Sequence, residues 1–326
     1  MRYQVKPFAT LLFGGALILG ASIASAATSP GALQLVPGDA VAVGYVRLDQ
    51  LRTSPLSGRI FHDTDNITVH GDGEEFLKET GLQPSKDIDA VVFALRASDS
   101  PNGDVLLGLE GRFDVQKLSA ASASHDGKRV DTASGAYYRF PHGENDGQQG
   151  AVAFLNKRLV ILGTERAVLS ALTAYSKGGS GFATSTLGRE MRRVDRDVSA
   201  WALVDVPRMS NMKGPAMKVG SSTTSPVIAA LGRMTTVAIW TKDTGDALQV
   251  GGVALTNDVD TRDLVADAAR GVLAAWRLAL QDKAPEVIPV LRQFKITTDN
   301  EGVKFSGTVP ASAIDSLRAH KSVAAR

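Results

Sequence analysis

The sequence predicts an α+β protein of two related lobes, each a largely antiparallel, hairpin-built sheet with helices packed on one face. Three observations predict it. Apolar runs of strand length come in pairs around turn-forming residues. Helical periodicity falls between those pairs. The order of elements in the first half recurs in the second. Hairpins impose antiparallel pairing, and helices arriving between them must cover a sheet. The chain has 326 residues, 44% hydrophobic and 21% charged, which is a normal globular balance and length enough for two domains.

Residues 1–26 read as a cleavable export signal. Arg2 and Lys6 give a positive start, the stretch from Phe8 to Ile18 is mostly apolar, and Ala24-Ser25-Ala26 is the small-residue pattern a signal peptidase accepts. The expected cut follows Ala26, placing the product in the periplasm or outside the cell. The apolar run is short for a bilayer span and is weakened by Gly14, Gly15 and Gly20, so no transmembrane anchor is expected after cleavage. The chain carries a formal net charge of +2. Both surplus charges, Arg2 and Lys6, lie in the export segment, so residues 27–326 are formally neutral. A neutral chain offers no global attraction for nucleic acid, and no nucleic-acid partner is expected. There are no cysteines, which excludes disulfides, thiolate nucleophiles and Cys-ligated metals.

The elements follow in order. Ala40 to Val46 has strand character, and Leu48 to Ile60 a short helix broken at Pro55. Residues 61–73 are polar and read as a loop, and Glu74 to Thr80 as a helical turn or two stopped by Gly81 and Pro84. Ile88 to Leu95 and Val105 to Gly111 flank a turn containing Asn102-Gly103, a strong hairpin signal. Asp114 opens a short helix. Tyr137, Tyr138 and Phe140 mark a strand, and Ala151–Leu155 and Arg158–Leu162 flank the turn Asn156-Lys157. Thr164 then caps a helix whose apolar face holds Val168, Leu172 and Tyr175.

Gly178 to Ser185 is rich in Gly, Ser and Thr and is the expected link between a first lobe, 27–183, and a second, 184–326. Ala200 to Val206 is a strand. Thr236–Trp240 and Ala247–Leu255 flank the turn Lys242 to Asp246. Asp258 or Asp260 begins the longest helix, with Leu264, Val265, Ala268, Val272, Trp276 and Ala279 as its buried stripe. Lys295–Thr298 and Val303–Gly307 form a last hairpin, and Pro310 starts a closing helix. Val46-Arg47-Leu48 lines up with Val204-Asp205-Val206, the hairpin 88–111 with 235–255, and Gly163-Thr164 with Gly307-Thr308. These correspondences point to an internal duplication.

The chemistry-bearing motifs are sparse. Asp243-Thr244-Gly245 spells the aspartic-protease triplet, but that chemistry needs a second such carboxylate, and Asp131-Thr132-Ala133 lacks the glycine. Lys-Asp-Thr-Gly-Asp reads as a turn. Ser210 and Lys213 match a loose S-x-x-K pattern without its supporting elements. His62, Asp63, Asp65 and His70 are the best metal-ligand supply, although Ile67 and Thr68 break the calcium-loop pattern. No cofactor is implied. Arg189, Arg192, Arg193 and Arg196 form the densest basic cluster and, interleaved with Glu190, Asp195 and Asp197, read as a solvated face. Trp201, Trp240 and Trp276 read as core residues, and His125, His142 and His320 as surface residues with no acidic or nucleophilic neighbour at suggestive spacing.

Val36-Pro37-Gly38-Asp39-Ala40, Glu79 to Asp89, Gly111-Arg112-Phe113-Asp114 and Leu159 to Gly163 resemble a family of uncharacterised exported bacterial envelope proteins, a domain of unknown function. The resemblance spans roughly residues 36–183. It implies an envelope location and carries no catalytic residues. The expected function is that of an exported, non-enzymatic envelope protein binding a protein partner or small ligand. The alternative is a secreted hydrolase with its site around His62 to Glu75 or Ser210 to Lys213.

Overall fold

A computed structural model describes residues 31–57, 72–100, 103–141, 149–195, 197–212, 230, 232–282 and 284–313. The strands are β1 (Ala40–Arg47), β2 (Ile88–Arg96), β3 (Asp104–Gly111), β4 (Lys128–Thr132), β5 (Gly135–Phe140), β6 (Gly150–Asn156), β7 (Leu159–Thr164), β8 (Ala200–Asp205), β9 (Thr236–Asp243), β10 (Ala247–Leu255), β11 (Lys295–Thr298) and β12 (Gly302–Pro310). They form one twelve-stranded sheet in the order β11-β12-β10-β9-β8-β1-β2-β3-β7-β6-β5-β4. Neighbouring strands are antiparallel throughout, as the hairpin signals require.

The two halves meet where β1 pairs with β8, with Tyr45 opposite Trp201 and their ring centroids 6.0 Å apart. Outward from this seam the order is β1-β2-β3-β7-β6 on one side and β8-β9-β10-β12-β11 on the other. The hairpin β4–β5 extends the first side only. Helices enter at matching points. α1 (Leu48–Thr53) follows β1, and after it come α2 (Asp72–Thr80) and α3 (Pro84–Asp87). α4 (Val115–Ser124) follows β3, and α5 (Glu165–Ser176) follows β7. After α6 (Thr186–Glu190), α7 (Val206–Ser210) follows β8, α8 (Val259–Leu280) follows β10, and α9 (Ile288–Gln293) precedes β11.

Helices cover both faces of the sheet, which corrects the expectation of one covered face. The reason lies in β7, where Leu159, Val160 and Ile161 are consecutive and all buried, so both faces need apolar cover. On one face Val43, Ile161 and Tyr137 pack with Val168 and Leu172 of α5 and with the 3-10 turn Gly31–Leu35. On the other, Leu51 and Leu56 pack with Leu118 of α4, Val160 and Leu248. Each fully buried Leu contributes roughly 1.5–3 kcal/mol. The expected interlobe link is also packed: Phe182 is buried, the Ser180 N–H donates to the Gln34 carbonyl, and the Ser180 hydroxyl donates to that of Val36.

Local chemistry sets the helix starts. The Asp114 carboxylate accepts from the N–H groups of Gln116 and Lys117, and Asp258 accepts from Thr261 N–H at 2.7 Å. Thr164 occupies the cap position of α5, but its hydroxyl is buried and caps nothing. Tyr175, expected on the buried face of α5, is exposed and bonded to Asn156.

Of the expected stripe of α8 only Val265 and Ala268 are buried, with Ala266 beside them, while Leu264 is 43% and Trp276 59% exposed. A helix of 22 residues is about 33 Å long. The edge strand β11 that it packs on has only four residues, and the second half of α8 is mostly exposed, tied to α9 by Arg277 donating to the Leu291 carbonyl at 2.7 Å. Among the described residues no helix is long and apolar enough to cross a membrane.

Candidate functional site

The face of the sheet that buries Val43 and Ile161 in the first half changes character in the second. A cross-strand row runs Tyr45, Trp201, Trp240, Gly251, Ser306, Lys295. It begins aromatic, loses its side chain at Gly251 and ends polar. A Cβ on Gly251 would stand 2.7 Å from Trp240 Nε1, so the indole lies across this glycine. Flanking rows place Lys242, Gln249 and Thr308 side by side, and Val253, Lys304 and Thr297 likewise. The alternation Val303-Lys304-Phe305-Ser306-Gly307-Thr308-Val309 sends every polar side chain of β12 to this face.

The result is an open groove of about 990 Å³, floored by β9, β10, β12 and β11 and rimmed by the 3-10 turn Met191–Arg193. Gln249, Gln293, Thr297, Ser306 and Thr308 line it, and none of these side chains hydrogen-bonds to another described residue. Arg192 and Lys295 also line it, exposed and without an ion pair among the described residues. Among the described residues Lys242 has only the distant carboxylate of Asp197, at 3.8 Å. The lining basic residues Arg192, Arg193, Lys242, Lys295 and Lys304 outweigh the acidic Asp195 and Glu301.

Three ion pairs brace the rim. Arg193 bridges Glu190 on its own turn and Glu301 in the β11–β12 turn, the latter at 2.6 Å. Burial works against its charge, but the bonds to Glu190 and Glu301 raise its pKa overall. Lys304 holds Asp299, whose carboxyl is pulled below the usual aspartate value by that bond and by the N–H groups of Glu301 and Gly302.

A second concavity of about 630 Å³ lies at the start of α4, lined by Arg112, Lys157 and Arg158 among others. Beside it one carboxylate, Asp89, faces three guanidinium groups: Arg52 at 2.9 Å, Arg158 at 3.3 Å and Arg112 at 3.5 Å.

The structure distributes the sequence-derived candidates widely. His62, Asp63, Asp65 and His70 lie outside the described residues, as do Arg196, Lys213, His142 and His320. Among the described residues no group of three or more His, Asp or Glu side chains is placed to hold a metal ion. Ser210 ends α7. Asp243, Thr244 and Gly245 form the β9–β10 turn: Gly245 has φ +92°, and its N–H donates to the Asp243 carboxylate. Asp131 and Thr132 end edge strand β4. Arg189 donates to the Thr184 carbonyl, whereas its neighbours Arg192 and Arg193 reach the groove. His125 does have an acidic partner, Glu79 at 3.1 Å, 46 residues away in sequence. Of the three tryptophans, Trp201 is core, Trp240 is half-buried in the groove wall, and Trp276 is exposed.

Sequence reasoning passed over Gln249, Lys295, Ser306 and Thr308, since each alone looks like an ordinary outward-facing strand residue. The legible signal was the strict alternation in β12 next to the paired glycines Gly251-Gly252 of β10.

No protein-family model matches the chain, and comparison with curated proteins finds no match. Solved structures do match in fold. Crystal form III of TP0453 aligns over 90% of this chain and 99% of its own, with a TM-score of 0.53 at 11% identity. Crystal form IV of TP0453 aligns over 89% and 96%, with a TM-score of 0.50 at 12% identity. At such identity the likeness is one of fold: an α+β chain with a large antiparallel sheet, shared over most of its length.

Proposed function

We propose that this chain is an exported envelope protein that works by binding, and that its ligand seats in the groove over β9, β10, β12 and β11. The observation that carries the reading is the convergence, on one concave face, of five amide and hydroxyl side chains and of Arg192 and Lys295, the former without hydrogen bonds and the latter without ion pairs among the described residues. Polar groups gathered around an aromatic wall provide orientation and specificity for a ligand. The groove follows from the fold, because it is the same sheet face that carries Val168 and Leu172 of α5 in the first half. The matching strand orders on either side of the β1–β8 seam support an origin by internal duplication, after which one half kept a covered face and the other an open one. The export segment and the envelope-family resemblance support a periplasmic or secreted location.

Native mass spectrometry of the mature protein from its own envelope fraction tests the reading. The expected result is a co-purifying mass that leaves on unfolding and is depleted in a folded Lys295→Glu, Thr308→Glu double variant. A bare protein that turns over a substrate in a hydrolase panel would replace binding with the hydrolase alternative.

A further inference from the structure

We propose that the groove binds an acidic oligosaccharide, with a sugar ring against Trp240 and its carboxylates on Arg192 and Lys295. This deepens the binding reading above and rests on it. Three features select the ligand class. The first is the indole lying over Gly251, which forms part of the groove wall and offers an aromatic surface to the C–H face of a sugar ring. The second is the lateral row of donors and acceptors. Ser306 and Lys295 are directly cross-strand, and Gln249 and Thr308 are directly cross-strand one pleat away. Neighbouring strands lie about 4.8 Å apart, so this grid spreads polar groups over an area the size of a sugar ring. The third is the positive excess, which asks for negative charge on the ligand. Arg192 and Lys295 have no ion pair among the described residues and would gain charge-assisted bonds from carboxylates.

The same features disfavour a nucleic-acid strand. Cations here are separated by neutral amides and hydroxyls rather than aligned along a track. Glu301 and Asp195 stand at the rim. The two aromatic residues of the lining, Trp240 and Phe305, belong to opposite faces of the sheet and so do not form the successive stacking platforms that a single strand uses.

The experiment titrates the whole mature protein with three probes while following tryptophan emission and, independently, heat of binding. They are an oligogalacturonate, its neutral methyl ester, and a dT oligonucleotide. The oligogalacturonate is expected to bind, with affinity falling as salt rises. The methyl ester is expected to bind at least about tenfold more weakly. The emission change is expected to vanish in Trp240→Phe while binding heat persists. Arg192→Glu combined with Lys295→Glu, both exposed and therefore tolerated by the fold, is expected to weaken the oligogalacturonate by about tenfold or more. Equal binding of acid and ester, or unchanged affinity in the double variant, overturns the proposal. Preferential binding of dT assigns the groove to nucleic acid instead. If none of the probes binds while the mass-spectrometric experiment still finds a ligand lost in the groove variant, the saccharide class falls and the binding site stands.

Discussion

The hydroxyl of Ser54 at the end of α1 donates to the buried carboxylate of Asp243 in the β9–β10 turn, joining residues 189 apart in sequence across the two halves. The same hydroxyl accepts from the Leu56 N–H at 3.0 Å, and Asp243 also takes the Gly245 N–H. A triplet that spells a protease signature therefore serves as a turn and an interhalf clasp. Its carboxylate is committed to neighbouring donors.

Ser54→Ala is expected to lower stability by about 1–3 kcal/mol, because it removes a donor from a buried acceptor. Urea unfolding followed by far-UV circular dichroism measures this. The transition is expected to stay single, since β1 and β8 pair along five residue positions and make one continuous sheet. A variant that unfolds in two separated steps would show the halves to be energetically independent.

Gly251→Ala is expected to displace the Trp240 indole. The new Cβ would meet ring atoms at 2.7–3.0 Å, closer than side chains tolerate. Overpacking of this kind costs about 1–3 kcal/mol. The readout is a shift in tryptophan emission that is absent when Trp240→Phe is already in place. Unchanged emission would mean that the indole does not lie on this glycine.

Most strands and turns were legible because they are encoded locally. Asn102-Gly103, Asn156-Lys157 and the polar run Lys242 to Asp246 each stood between apolar segments, and each became a hairpin. Asp114 and Asp258 were legible as helix caps for the same reason. β4 was missed, because three of its five residues, Lys128, Arg129 and Asp131, are charged, as an exposed edge strand can be. The burial of α8 was overestimated, because helical periodicity shows which face is apolar without showing how far the sheet beneath extends. Trp276 lies on the expected stripe but is 59% exposed. The groove was illegible for a different reason: its residues come from four strands, two turns and the end of α9, and only the register brings Lys295 beside Ser306 and Gln249 beside Thr308.

Removing Asp89 should leave Arg52, Arg112 and Arg158 facing one another without a counter-charge. Asp89→Ala is expected to destabilise by about 1–3 kcal/mol at low salt, as a partly buried hydrogen-bonded charge loses its partner. Part of the loss should return as added salt screens the exposed Arg112 and Arg158, whereas Arg52 remains anchored to the Ser85 carbonyl at 2.7 Å. Denaturant midpoints at two ionic strengths separate the components. Equal losses at both would show that repulsion among the arginines is unimportant.

Glu110 gives the pH dependence a definite sign. Its carboxylate lies beneath the turn Gly31–Leu35 and accepts the Ala32 N–H at 2.6 Å, yet burial raises its pKa above the ordinary glutamate value. The folded state therefore holds the proton more tightly than the unfolded chain. Its contribution to stability is fully present below the unfolded pKa, about 4.3, and is lost as pH rises through the folded value. Asp258 and Asp299 act oppositely: their lowered pKa values add stability above the unfolded aspartate pKa, which is lost as pH falls through the folded values. Comparing the wild-type chain with Glu110→Gln separates the two effects, because both proteins share the aspartates. The variant keeps an oxygen to accept the Ala32 N–H and cannot ionise. Its stability relative to wild type is expected to rise as pH goes from about 4 to 7. A difference that is flat across this range, measured by urea midpoints at matched ionic strength, would show that Glu110 pays no burial penalty on ionising.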